Sequence, residues 1–282
     1  MRLDGPESPN VEDRRGRRFG GRGIAVGGGL GGVVILLIAM LLGVDPTALL
    51  DDGTRPEPAG MQRPITEQDE AARRFVAQVL GETEAVWREE FARRGGRYEE
   101  PALVLFSGAT RSGCGFAQAQ MGPFYCPVDR KVYIDLDFMA DLQRRLRAGG
   151  DFAAAYIVAH EVGHHVQNLL GLLARVEQAR RGRGDAVANA MQVRVELMAD
   201  CLAGVWARRA DETRGILERG DIEEGLNAAA AVGDDRIQGA AQGHVVPESF
   251  THGSSAQRVA WFRRGLETGR LEACDTFAEG SR

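Results

Sequence analysis

Basic charge is not in excess in this chain, cysteine is scarce and nothing repeats. The 35 lysine and arginine residues face 40 aspartates and glutamates, leaving a formal net charge of −5. That balance argues against nucleic acid as a partner, because phosphate-binding proteins carry a basic patch or stripe. The four cysteines, Cys114, Cys126, Cys201 and Cys274, fit no C-x-x-C spacing, which removes the common thiolate zinc patterns. No internal repeat or heptad array is visible, so solenoids and coiled coils are excluded. Aromatic residues are lean at 6%, but the hydrophobic share of 44% suits a globular core.

Long apolar runs are absent too, with one exception. Ile24 to Val44 is 21 residues without a charge, long enough to cross a bilayer as a helix. Arg14, Arg15, Arg17, Arg18 and Arg22 precede it, and Asp45, Asp51 and Asp52 follow. That asymmetry predicts a single-pass anchor with a cytoplasmic N-terminus and the remainder outside the cytoplasm. A cleaved signal peptide is the rival reading, but its apolar region is only about 7–15 residues and ends at an A-x-A-like site. Residues 1–23 are polar, Gly- and Arg-rich and without apolar periodicity, and are expected to be disordered. Residues 45–65, with Pro46, Pro56, Pro58 and Pro64, read as a linker. Residues 66–282 then form the one folded domain, which fits a chain of 282 residues.

Thr66-Glu67-Gln68-Asp69 has the pattern of a helix start and predicts a helix to about Ala92. Ala102 to Phe106 reads as a short strand. Lys131 to Leu136 alternates, with Val132, Ile134 and Leu136 on one side and Tyr133 and Asp135 on the other, a half-buried strand. Helices are expected thereafter over about 137–147, 152–170, 172–180, 185–209, 221–232 and 254–268.

Within the second of these lies His160-Glu161-Val162-Gly163-His164. Residues four apart on a helix stand one above the other, so His160 and His164 share a face. Two neutral imidazoles so placed can ligate one Zn²⁺, while Glu161, about 100° around the helix, can reach a water held there as general base. A catalytic zinc site usually has a third protein ligand. Glu196, on a later helical stretch, supplies it, and Asp200 one turn on can hold a ligand histidine's other ring nitrogen. The bland alternative is that Glu196 and Asp200 are a solvated helix face.

These residues, with Cys114-Gly115, Gly122 to Pro127, Val132 to Leu136, His160 to Gln167 and Phe250 to Arg258, make the chain resemble a bacterial family of neutral zinc metallopeptidases. That family comprises membrane-anchored relatives of the glutamate-liganded zincins. The resemblance spans about residues 64–278. The expected elements themselves make an α+β fold, mostly helical with a small β-sheet packed on the active-site helix and one transmembrane helix before it; the resemblance makes this a zincin-like metallopeptidase domain. It implies one catalytic Zn²⁺, a peptide or protein as substrate, and endopeptidase chemistry. It also suggests that the strand 131–136 binds substrate by strand addition, with a purely structural edge strand as the alternative. Related zincins place a His, Tyr or Arg opposite the metal to stabilise the oxyanion. His252 is the candidate here, against a plain helix-start histidine, and Arg258 can face the same way. His165 points off the metal face and is expected at the surface or behind a ligand.

An even cysteine count in an extracytoplasmic domain favours disulfides. Of three possible pairings, Cys114–Cys126 closes a short loop and leaves Cys201–Cys274. Two other functions remain open: a metal-dependent hydrolase of a non-peptide amide, and a non-catalytic zinc-fold protein that binds partners.

Overall fold

The computed structural model describes residues 1–16, 65–118, 122–136 and 150–278. The apolar run 24–44, most of the linker and the helix expected over 137–147 lie outside the described residues. Among those that are described, no helix is long and apolar enough to cross a membrane.

Helix α1 (Glu67–Arg93) begins where expected. Thr66 accepts from the Asp69 backbone and Asp69 bonds back to the Thr66 backbone, a complete capping box. Four strands follow the order β1-β2-β6-β5, where β1 is Val11–Asp13, β2 Ala102–Phe106, β5 Phe124–Cys126 and β6 Lys131–Asp135. The β1, β2 and β6 strands run parallel, and β5 returns antiparallel to β6. Strands β3 (Ala109–Ser112) and β4 (Gly115–Gln118) form a separate hairpin. This hairpin lies between the two strands expected from sequence, where no element was expected.

Three expectations are corrected by this sheet. Residues 1–16, expected to be disordered, are part of the fold. Strand β6 is not half-buried: Val132, Tyr133, Ile134 and Asp135 are all buried. Phe124 stacks on Tyr133 at 4.8 Å, and Val104, Phe106 and Cys126 complete a second apolar cluster on that face. Nor is β6 an edge, because β2 and β5 flank it; the strand at that end of the order is β5. A two-sided strand is the rule where neighbours are parallel.

The helical layer comprises α2 (Asp151–Leu169), α3 (Leu172–Arg180), α4 (Asp185–Arg214), α5 (Asp221–Ala231), α6 (Asp234–Gln242) and α7 (Ser255–Thr268). Apolar on nearly every side, α2 is buried from Phe152 through Gly163, as a helix at the centre of a core must be. Glycines let the helices cross closely. A Cβ on Gly163 would sit 3.0 Å from the Ala199 carbonyl oxygen, so α2 meets α4 backbone to backbone at the motif itself. A Cβ on Gly265 would come within 1.9 Å of the Cys201 carbonyl oxygen, fixing α7 against α4. The bonds Cys114–Cys126 and Cys201–Cys274 are both formed, as expected. The second ties the C-terminal 3₁₀ turn Leu271–Cys274 to α4.

Candidate metal centre and active site

The close crossing at Gly163 and Ala199 turns one face of α2 toward one face of α4. His160 Nε2 lies 3.2 Å from Glu196 Oε2, and His164 Nε2 lies 3.4 Å from the same oxygen. A tetrahedral zinc with bonds of about 2.0–2.1 Å has ligand-to-ligand edges of about 3.3–3.4 Å. The donor set therefore fits that ion in both chemistry and spacing. No other described group of His, Cys, Asp or Glu with this spacing contains a histidine.

Each candidate ligand has its other polar atom tied back. Asp200 Oδ1 accepts from His160 Nδ1 at 2.8 Å, which leaves the Nε2 lone pair facing Glu196. Gln167 Oε1 accepts from His164 Nδ1 at 2.9 Å, and its own amide donates to the Val195 carbonyl at 2.7 Å. Gln192 donates to Glu196 Oε1 at 2.9 Å, reserving Oε2 for the histidines.

Asp200 is the hub behind this set. It is fully buried and also accepts from the Tyr156 hydroxyl (2.5 Å), from Arg258 Nε (2.9 Å) and from Arg258 Nη2 (2.8 Å). Burial alone favours its neutral acid, yet Arg258 and His160 hold its pKa below the usual carboxylate value. Burial opposes a charge on His160 as well, but Asp200 and Glu196 outweigh it and raise its pKa to about 9. The pocket at Nε2 thus prefers a positive charge. Glu196 resists its own burial because His164 and His160 face it, and it stays well below its usual pKa.

Glu161 has the opposite character. It is 7% exposed, and burial pushes its carboxyl upward despite the nearby histidines. A carboxylate with a raised pKa beside a metal site is suited to taking up a proton.

The loop ahead of α7 reaches the same region. Gly253 packs against Val193 and Leu197, which flank Glu196 on α4. Asp234, the first residue of α6, accepts from the backbone N–H groups of Thr251, His252 and Gly253 at 2.7, 2.6 and 3.0 Å. The same carboxylate meets His252 Nδ1 at 3.2 Å. Burial would lower the His252 pKa, but Asp234 and Glu196 raise it.

Similarity to known proteins matches the geometry. The family model described as "Putative neutral zinc metallopeptidase" matches residues 1–277. This chain belongs to that family. It is 46% identical over 283 residues to the uncharacterized protein YpfJ of Escherichia coli K12, covering 97% of each chain. It is also 46% identical over 258 residues to the uncharacterized protein Rv2575 of Mycobacterium tuberculosis, covering 85% of each. No solved structure matches.

Within this zinc metallopeptidase family member, the structure brings together His160, His164, Glu196, Asp200 and Glu161, and sets the His252 loop against the same helix. Sequence reasoning missed Tyr156, Gln167, Gln192 and Asp234. The first three stand three or four positions from a candidate ligand, so helical spacing was a signal for them. Asp234 lay in a segment with no predicted element, and only the folded chain shows what it holds. His165 is a correction. It is fully buried, its Nδ1 paired with the Tyr125 hydroxyl at 2.9 Å and its Nε2 with the Glu99 carbonyl at 2.6 Å. It fastens edge strand β5 to α2.

Proposed function

We propose that this protein is a zinc-dependent endopeptidase. The observation that carries the reading is the convergence of His160 Nε2, His164 Nε2 and Glu196 Oε2 on one point, with Glu161 beside them. When bound there, Zn²⁺ would polarise the scissile carbonyl and acidify a water. Glu161 takes a proton from the attacking water as the oxygen bonds to the carbonyl carbon. It then passes that proton to the amine nitrogen as the C–N bond breaks, so no proton is left over. His252, held by Asp234, donates a hydrogen bond to the oxyanion that forms in between. Arg258, through Asp200, fixes the tautomer of His160.

The two disulfides support an extracytoplasmic domain acting on extracytoplasmic proteins or peptides, because such bonds persist in oxidising compartments. The apolar run Ile24 to Val44 is proposed as the contact with the bacterial cell membrane.

Elemental analysis and a quenched peptide library, applied to four variants, test the reading. His160→Ala, His164→Ala and Glu196→Ala should each lose most of the zinc. Glu161→Gln keeps the shape but cannot accept the proton, so zinc should stay while hydrolysis falls by at least about 10²–10⁴-fold. Normal cleavage by Glu161→Gln, or full zinc in Glu196→Ala, would overturn the assignment. Zinc binding without cleavage of any peptide by the native protein would favour the binding-protein alternative.

A further inference from the structure

The arginines that suggest a cytoplasmic N-terminus have another occupation. Arg15 is almost wholly buried, with 3% of its side chain exposed. It forks onto Asp13 through Nε (2.9 Å) and Nη2 (2.6 Å). The same guanidinium then reaches across to the first turn of α1, donating to the Glu70 carboxylate at 2.6 Å and to the Asp69 carbonyl at 3.0 Å. Arg14 bonds Glu12 at 2.6 Å and the Arg111 carbonyl at 3.1 Å. Two of the five clustered arginines therefore serve the fold.

The rest of residues 1–16 is equally committed. Val11, Glu12 and Asp13 pair in parallel register with Leu103, Val104 and Leu105. The ladder is continued by Leu103 N–H to Asn10 at 2.8 Å and Arg14 N–H to Leu105 at 2.8 Å. Ser8 and Asn10 donate to the Glu84 carboxylate at 2.7 and 2.8 Å, and Glu84 is 2% exposed. Without them that buried carboxylate would lose two donors, an arrangement proteins avoid. Helix α1 is also shaped for the segment. A glycine inside a helix is unfavourable, but a Cβ at Gly81 would lie 2.8 Å from the Pro6 carbonyl oxygen. The glycine is there because the N-terminal segment crosses at that point.

We propose that residues 1–16 are a permanent part of the metallopeptidase domain and occupy the same side of the membrane as residues 65–278. A bilayer's hydrocarbon core is about 30 Å thick, whereas Arg15 and Glu70 are 2.6 Å apart. A single crossing between them would remove β1 from the sheet, bare the edge of β2, take the Ser8 and Asn10 donors from Glu84 and take the Glu70 and Asp69 acceptors from Arg15. Arg15 and Glu70, which stand before and after the apolar run in the chain, therefore lie on one side. This revises the single-pass arrangement with a cytoplasmic N-terminus, and it stands apart from the catalytic reading because it uses neither zinc nor activity.

The test uses the full chain in intact spheroplasts. Asp4→Cys and Glu177→Cys each place one thiol at an exposed position, on the two sides of the apolar run; their side chains are 84% and 62% exposed. Each variant is treated with a membrane-impermeant maleimide before and after permeabilisation, the second sample reporting the intrinsic reactivity of each thiol. The expected result is the same ratio for both positions. Labelling of both in intact spheroplasts supports the proposal together with an extracytoplasmic domain. Protection of both until permeabilisation supports the shared side and refutes the extracytoplasmic placement. Labelling of Glu177→Cys with protection of Asp4→Cys, or the reverse, overturns the proposal.

Discussion

Replacing Arg258 is the sharpest test of the polar hub behind the candidate metal ligands. Arg258 is buried and makes two hydrogen bonds to Asp200, at 2.9 and 2.8 Å, and a third to the Val232 carbonyl at 3.2 Å. Arg258→Ala leaves Asp200 buried with only Tyr156 and His160 as donors and without its guanidinium countercharge. Breaking one side of a buried ion pair costs about 3–5 kcal/mol. For a domain of this size each kcal/mol moves the melting point by about 2–4 °C, so a fall of about 6–20 °C is expected. Thermal melts monitored by circular dichroism after chelation isolate this effect from zinc binding. Loss of the group that orients Asp200, and through it His160, should also weaken zinc by about 10–100-fold in a competition titration. The double variant Arg258→Met with Asp200→Asn removes the stranded charge and should recover part of the melting temperature while leaving zinc weak. A melting point within about 2 °C of the parent for Arg258→Ala, or a double variant worse than the sum of the singles, would refute this account of the hub.

Three further outcomes are expected. His165 has its pKa lowered by burial, so the unfolded chain binds the proton more readily; stability should fall as pH drops below about 6.5, by at most about 1.4 kcal/mol per unit for one group, and less steeply in His165→Gln. Urea titrations at several pH values check this, and identical slopes for both proteins would count against it. His252→Ala should reduce kcat by about 10²–10³ with zinc content unchanged, and Asp234→Asn should reproduce part of that loss because the imidazole loses its anchor; near-normal turnover in both would leave His252 as a loop residue. Removing Cys201–Cys274, which closes a separation of 73 residues, by double substitution to Ser should cost about 2–5 kcal/mol in equilibrium unfolding, and an unchanged midpoint would show that the tail is held without it.

The sequence by itself determined the elements whose cause is local. Helical spacing set His160 above His164 and Glu196 above Asp200, and the Thr66 box marked the start of α1. Cysteine number and proximity gave the two disulfides. Periodicity and breaker residues located α2 through α5 and α7 to within a few positions, except that α4 runs on to Arg214. Other decisions belonged to the tertiary structure alone. The meeting of the two helix faces depends on a backbone crossing at Gly163 and Ala199, and no spacing rule encodes a contact between residues 36 positions apart. His165 was misjudged because its partners, Tyr125 and the Glu99 carbonyl, come from strand and loop. Strand β6 was read as half-buried because alternation reports one covered face, and only the arrival of β5 and Phe124 shows that the second is covered too. Residues 1–16 illustrate the limit most clearly. A three-residue strand has no periodicity to detect, and arginines look solvated until the carboxylates that receive them are in place. What makes that segment structured is a sheet edge and a buried glutamate about 70–90 residues further along the chain, and those exist only once the domain has folded.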